Sequence, residues 1–212
     1  MKRYVVGDIH GCYDELDRLY QEISKHAQGE DFKIIFVGDY IDRGPKSKDV
    51  INYVRFCVNE YGHVALMGNH EDMFVSGETL YAQATLNSYD ASFDLEDDIQ
   101  WMKKLPKYYE DDTIIVVHAG AKPGIPMDKQ DDAMLMWYRY SGKQAAEMGK
   151  HLYHGHTPHI SMVENYDDRT NVDTGCVFNG HLTAAIVGEN GKPEGFVYVK
   201  SSWGKKETEW ED

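Results

Sequence analysis

The chain is poor in cysteine and in positive charge, and it contains no long apolar run. Its three cysteines, Cys12, Cys57 and Cys176, are odd in number and form no Cys-x-x-Cys pair. That argues against a thiolate zinc site and for a reducing compartment. Lysine and arginine total 22 against 36 aspartates and glutamates, leaving a formal charge of −14. Such a field repels phosphate backbones, so neither nucleic acid nor an anionic membrane is an expected partner. If the protein handles phosphate, it must do so locally. The longest apolar runs, 34–38 and 114–117, are far shorter than the roughly 20 residues of a membrane span. No apolar signal core follows the first residues, and the expected location is cytoplasmic.

What is present suffices for a core. Of 212 residues 42% are apolar, and a chain of this length buries roughly 70% of its unfolded surface without help from disulfides or partners. Residues 3–7 read as a β run, and Leu16, Leu19, Tyr20, Ile23 and Ala27 then recur at helical spacing. Residues 33–38 read as a second β run. Val50, Ile51, Val54, Val58 and Tyr61 form a second stripe opened by Pro45 and Ser47, and residues 63–68 make a third β run. Strands alternating with amphipathic helices predict right-handed βαβ units and a mainly parallel sheet. The expected organisation is one domain over residues 1–212. It includes a helical insertion around 72–110, a helical or irregular stretch over 128–150, and a loose charged tail over 201–212. The short β runs at 152–154, 171–172, 183–187 and 196–200 predict a second, partly antiparallel sheet.

The chemistry lies where the β runs end. Gly7-Asp8-Ile9-His10-Gly11, Gly38-Asp39-Tyr40-Ile41-Asp42-Arg43-Gly44, Gly68-Asn69-His70-Glu71, His118-Ala119-Gly120 and His154-Gly155-His156-Thr157 each place a metal-ligand type at such an end. Asp8 to Asp39 is 31 positions and Asp39 to Asn69 is 30, about one βαβ period each time. The three loops should therefore surface side by side at the carboxyl edge of the sheet, where α/β proteins bind ligands. An aspartate after a strand is by itself most often a turn former, and a lone histidine a satisfied one. Five such fragments in this order supply only oxygen and nitrogen donors, a set suited to Mn²⁺, Fe²⁺ or Zn²⁺.

In this combination the motifs resemble those of the PPP-type (calcineurin-like) metallophosphatases. The likeness is strongest to the small bacterial and phage branch that includes the bacteriophage lambda protein phosphatase, and it runs from Tyr4 to about Leu182. The resemblance implies an α/β fold of two packed mixed β-sheets flanked by helices, with a dinuclear metal site at the strand C-terminal ends. It implies Asp8 and His10 as ligands of a first ion, Asp39 as the bridge, and Asn69, His118 and His156 as ligands of a second. The ions implied are two divalent cations, Mn²⁺ first, with Fe or Zn as alternatives. His70 would be the general acid, oriented by Asp42, with Arg43 and Arg139 holding phosphoryl oxygens.

These roles suit the residue types. Two dications can share a hydroxide and neutralise charge on attacking and leaving oxygens. An imidazole tied to a neighbouring carboxylate has a fixed tautomer, and arginine presents a fork that fits phosphate. Glu71 reads as a hydrogen-bonding support. Cys12, His151, His154, His159 and His181 read as structural, and the aromatics of the insertion as packing. The acidic clusters at 94–98, 110–112 and Asp131–Asp132 read as solvated faces.

The main expectation is a Ser/Thr protein phosphatase acting on a phosphoprotein or phosphopeptide by direct attack of a metal-bridging hydroxide. The alternative is a dinucleoside polyphosphate hydrolase acting on nucleotide polyphosphates such as diadenosine tetraphosphate. Residues 11–16 and 173–178 resemble that group too, whereas its symmetrical members commonly carry Ala where Asp42 stands and Asp where Glu71 stands. A catalytically dead binding module on the same fold is disfavoured because every implied position is filled.

Overall fold

The computed structural model describes residues 1–78, 80–90 and 95–202. The first βαβαβ run is β1 (Lys2–Val6), α1 (Tyr13–Ala27), β2 (Phe32–Phe36), α2 (Ser47–Tyr61) and β3 (Val64–Ala65). Leu16, Leu19, Ile23 and Ala27 of α1 and Val50, Ile51 and Val54 of α2 are buried, as the stripes predict. Cys57 is buried outside the predicted stripe, whereas Tyr20 and Val58 are half-buried and Tyr61 is exposed. Acidic residues in the first turn of α1 and basic ones in its last oppose the helix dipole favourably. After β3 come α3 (Asn69–Val75), α4 (Gln83–Asn87) and α5 (Leu95–Met102), then β4 (Tyr108–Glu110), β5 (Ile114–Val117), α6 (Asp132–Trp137), β6 (His151–His154), β7 (Glu164–Asn165), β8 (Arg169–Asn171), β9 (His181–Val187) and β10 (Pro193–Lys200).

Two five-stranded mixed sheets result, with orders β10-β9-β1-β2-β3 and β4-β5-β6-β8-β7. β1, β2 and β3 are parallel, as are β5, β6 and β8, so the carboxyl ends of all six can share one rim. The sheets face each other through Val5, Ile35, Val37 and Leu66 on one side and Ile114, Val116, Tyr153 and Val172 on the other. The outer face of the first sheet packs on α1, α2 and the α3–α5 segment. That of the second packs on Leu135 and Met136 of α6. A buried Lys48–Asp98 ion pair joins α2 to α5, and Tyr89 donates to the same carboxylate at 2.9 Å.

Several expectations need correction. β9 pairs antiparallel with β1 and β10 antiparallel with β9, so they extend the first sheet and do not build the second. Their alternating pattern gives strand identity but carries no information about the partner. The third β run is only two residues long, because the amide of Met67 leaves the ladder for the carbonyl of Pro106. The stretch read as a helical insertion ends in a strand, β4, paired with β5. Between β5 and β6 only α6 and a 3₁₀ turn at Met127–Lys129 are regular. At the carboxyl end Ser201 is buried and Ser202 donates to Glu15, while the rest of the expected loose tail, 203–212, and Asp94 lie outside the described residues. Among the described residues no helix is long and apolar enough to cross a membrane.

Candidate metal centre

The implied ligands gather on the shared rim. Asp8 and His10 follow β1, Asp39 follows β2, Asn69 opens α3, His118 follows β5 directly and His156 lies two residues past β6. All six are buried. The turns that present them are unusual: His10, Asp39, Asp42, Arg43 and His156 all have positive φ, between 47° and 69°. Non-glycine residues adopt that region at a cost, and such residues cluster at functional sites. The loops also approach closely. A Cβ on Gly38 would lie 2.5 Å from the Gly68 nitrogen, and one on Gly68 would lie 2.3 Å from Asp39 Oδ1, so both positions exclude a side chain.

Two groups of potential ligand atoms share one carboxylate. His10, Asp39 and His70 form the first and Asp39, His118 and His156 the second, with all atoms of a group within 4.8 Å of one another. Asn69 Oδ1 lies 2.9 Å from both His118 Nε2 and His156 Nδ1. Asp8 belongs to neither group. Its carboxylate accepts the backbone N–H of His156 at 3.1 Å, so the first group holds His70 where the resemblance implies Asp8. Asp173, two residues past β8, faces the same cavity. A third buried group, Cys12, Glu15 and Cys176, adjoins the β1 loop, with the Cys12 thiol 3.7 Å from the His10 carbonyl and Glu15 bound to Arg18 and Ser202.

The donor set fits divalent cations. His10 Nδ1 lies 2.8 Å from the Ile41 carbonyl and His118 Nδ1 lies 3.1 Å from that of Val37. A carbonyl can only accept, so Nδ1 carries the proton in His10, leaving Nε2 as an acceptor that Arg43 also reaches. In His118 both nitrogens face acceptors, the Val37 carbonyl and Asn69 Oδ1, a conflict that a cation at Nε2 removes. Burial keeps these rings neutral, bringing His10 and His156 down to about 3 and lowering His118 as well. The Nε2 atoms of His10 and His118 then face Asp39 oxygens at 3.4 and 3.5 Å, acceptor against acceptor, which a cation between them relieves. Burial, then the charges of Asp173 and Asp39, push the Asp8 carboxyl well up; burial likewise pushes Asp173 up to about 7. Burial acts in the same sense on Asp39, but positive charge on the neighbouring His118, His10 or His70 would oppose it. The His70 N–H at 3.0 Å opposes it too, and the carboxyl is held well below the usual range. Three buried carboxylates around one cavity call for positive charge.

The remaining implied residues surround this cluster. His70 Nδ1 is 2.6 Å from Asp42 Oδ2. Thr85 donates to Asp42 Oδ1 at 2.5 Å and accepts from the Asp42 N–H at 2.9 Å. Glu71 is fully buried and accepts N–H bonds from Asp39, Tyr40, Ile41 and Gly68 at 2.7–3.3 Å, the supporting position expected of it. Arg43 reaches His10 Nε2 and stacks over Phe178 at 5.4 Å, and Arg139 Nε lies 3.4 Å from His156 Nε2. Both arginines line the cavity, whose volume is about 310 Å³. Asp173 and Thr85 went unread in the sequence as site residues. Asp173 had the signal that found Asp8 and Asp39, an aspartate just past a β run, whereas Thr85 lies in an irregular helical stretch and has none.

The calcineurin-like phosphoesterase family model matches residues 1–188. The chain belongs to that family. Its members use a dinuclear divalent metal centre, in keeping with the two groups that share Asp39. The chain is 29% identical to the asymmetrical bis(5'-nucleosyl)-tetraphosphatase PrpE of Anoxybacillus flavithermus, over 85% of this chain and 88% of that one. It is 33% identical to a symmetrical bis(5'-nucleosyl)-tetraphosphatase of Nitrosococcus oceani over 58% of this chain, where it spans only 45% of the relative. A crystal structure provisionally described as a diadenosine tetraphosphatase superposes with a TM-score of 0.73 at 21% identity, covering 96% of this chain and 94% of that one. At that identity the likeness concerns the fold.

Proposed function

We propose that this phosphoesterase hydrolyses bis(5'-nucleosyl) tetraphosphates in preference to phosphoserine or phosphothreonine in proteins. The observation that carries the reading is the near end-to-end correspondence with a relative named for that activity. It reverses the order of the two expectations formed from the motifs alone. The cavity supports it, because Tyr81, Trp137 and Phe178, each about half exposed, stand around the phosphate-binding centre as flat apolar surfaces.

In this reading Asp8 and His10 would hold one divalent cation, Asn69, His118 and His156 would hold the other, and Asp39 would contribute to both. Mn²⁺ is the first candidate. Bound cations would supply Lewis acidity to the phosphoryl group and acidify an attacking water. Arg43 and Arg139 hold the phosphoryl oxygens through their planar forks. His70 donates a proton to the leaving oxygen. It does so from Nε2 as the imidazolium, whose Nδ1–H the Asp42 carboxylate accepts and whose charge that carboxylate balances, and Thr85 holds Asp42 in turn. Asp42 and Glu71 stand where the symmetrical hydrolases commonly differ and are the phosphatase-like choice at both places; the support for asymmetric cleavage is the similarity to the asymmetrical relative.

The test is side-by-side kinetics on diadenosine tetraphosphate and a phosphoserine peptide, with Mn²⁺ added after chelation and products separated by chromatography. The expected result is the larger kcat/KM on the dinucleotide, with ATP and AMP as products. A larger value on the peptide overturns the reading.

A further inference from the structure

A single tryptophan joins two concavities. Trp137, at the end of α6, lines the catalytic cavity and also a neighbouring groove of about 610 Å³. Its ring is 44% exposed and stands edge-on to His156 at 6.1 Å between centroids. Ile125, Met134 and Tyr138 give the groove an apolar floor, and Lys122 and Lys129 stand at its edge. The wall is built, not slack. Gln130 accepts the Lys122 N–H at 2.9 Å and donates to the carbonyls of Lys122 and Ile125 at 2.8 Å each. Asp131 caps α6 through the Ala133 N–H.

We propose that this groove is a nucleoside subsite, in which Trp137 stacks one base of a dinucleoside polyphosphate whose scissile phosphate lies at the metal centre. The inference rests on the function proposed above and deepens it. Ligand pockets run from roughly 300 to 1,000 Å³. The catalytic cavity is at the bottom of that range, enough for phosphates but not for two nucleosides as well. The groove and the cavity meet at Trp137, which lines both, and Arg139, two residues on, lines the cavity side. Charge at the edge is mixed: Lys129 stands 3.6 Å from Asp128, and Asp131 faces the groove. Stacking and apolar contact therefore carry the recognition, and the lysines add a smaller attraction for the polyphosphate. Base–aromatic stacking is sequence-tolerant, so adenine and guanine dinucleotides should both be accepted.

The experiment compares wild type with Trp137→Ala, Trp137→Phe and Lys129→Glu on diadenosine tetraphosphate and on p-nitrophenyl phosphate, which has no base. Trp137→Ala should raise KM for the dinucleotide roughly 10-fold or more beyond its effect on p-nitrophenyl phosphate. Trp137→Phe should recover most of that. Lys129→Glu changes an exposed side chain and threatens no packing, and it should raise the dinucleotide KM a few-fold through charge alone. Independently of turnover, AMP added to the chelator-treated protein should quench tryptophan fluorescence in wild type, and the quench should be lost in Trp137→Phe. If diadenosine tetraphosphate is cleaved but the variants shift both substrates equally and no quench occurs, the subsite is wrong while the activity stands. If only the phosphopeptide is cleaved and Trp137→Ala raises its KM, the groove holds a peptide, and the subsite and the proposed activity fall together.

Discussion

Two halves of one rim are constructed by different means. After β1, β2 and β3 the site residues arrive at 31- and 30-residue intervals, because each parallel strand needs one amphipathic helix to return the chain to the same edge. After β5, β6 and β8 there is no such clock. The 33 residues between β5 and β6 hold one short helix and a 3₁₀ turn, and their path is set by side chains reaching backbone. Asp168 accepts the N–H groups of Ala146 and Glu147 at 2.8 Å. Arg169 donates to the carbonyls of Gln144 and Gly142 at 2.8 and 2.5 Å while lying between the rings of Tyr140 and Tyr166. One half is placed by hydrophobic periodicity and the other by buried polar bonds. The first tolerates change that keeps the pattern, while the second depends on individual residues.

The largest effects should come where the halves meet. Asp39 belongs to the first half but faces His118 and His156 of the second. Asp39→Asn should lower bound metal and turnover together, the latter by more than the 10–100-fold typical of residues that merely support a ligand. Elemental analysis beside steady-state rates checks this, and a variant with full metal and full activity would separate the halves. His70→Asn lies one step from the metal ligands. It should keep the metal but lose roughly 10²–10⁴ in turnover on poor leaving groups, and much less on p-nitrophenyl phosphate.

The comparison also explains what could be read from sequence. The β1–β3 loops were legible because spacing and a preceding glycine both point to one edge. The fold of that half follows from helical stripes most of whose positions are buried, with Tyr61 at the end of α2 exposed. His118 and His156 were legible as ligand types at strand ends, but only the motif resemblance grouped them with the first half, since nothing local says that β5 and β6 face β1 across a core. The attachment of β9 and β10 to the first sheet was misread for the same reason, because alternation reveals a strand without naming its neighbour. Thr85 and the Arg169 clamp are long-range polar contacts, decided only once the chain has folded. Asp173 was legible, but it was read as part of a resemblance and not as one more strand-end carboxylate.

The clamp gives a middle-sized test of the second half. Arg169 is fully buried, and hydrogen bonds from a charged group contribute about 1.5–3 kcal/mol each. Arg169→Met keeps the length but frees two carbonyls, and it should cost about 3 kcal/mol in a thermal or denaturant melt. An equal change at Leu19, in the first half, should be repaired by repacking; Leu19→Met should cost less than about 1.5 kcal/mol. If the two variants melt alike, the second half is no more dependent on single residues than the first.

The smallest expected effect concerns a tie between the halves. Arg3 on β1 donates to Asp111, in the β4–β5 turn, at 2.6 Å, and Asp111 also accepts the N–H groups of Thr113 and Ile114 at 2.9 and 3.1 Å. Partial burial raises the Asp111 carboxyl, but those N–H groups and Arg3 outweigh it and hold it at about 2. The unfolded value is about 3.9, so the folded state binds this proton less readily than the unfolded one. The stabilisation is therefore complete above about pH 4 and is lost as pH falls toward 2. The pair is partly exposed, so added salt should weaken the Arg3 contribution and leave the backbone bonds. Melting of wild type and Asp111→Asn should differ modestly at pH 7 and converge at pH 2–3. A difference that persists unchanged at low pH would assign the tie to the shape of the turn, with the carboxylate charge irrelevant to it.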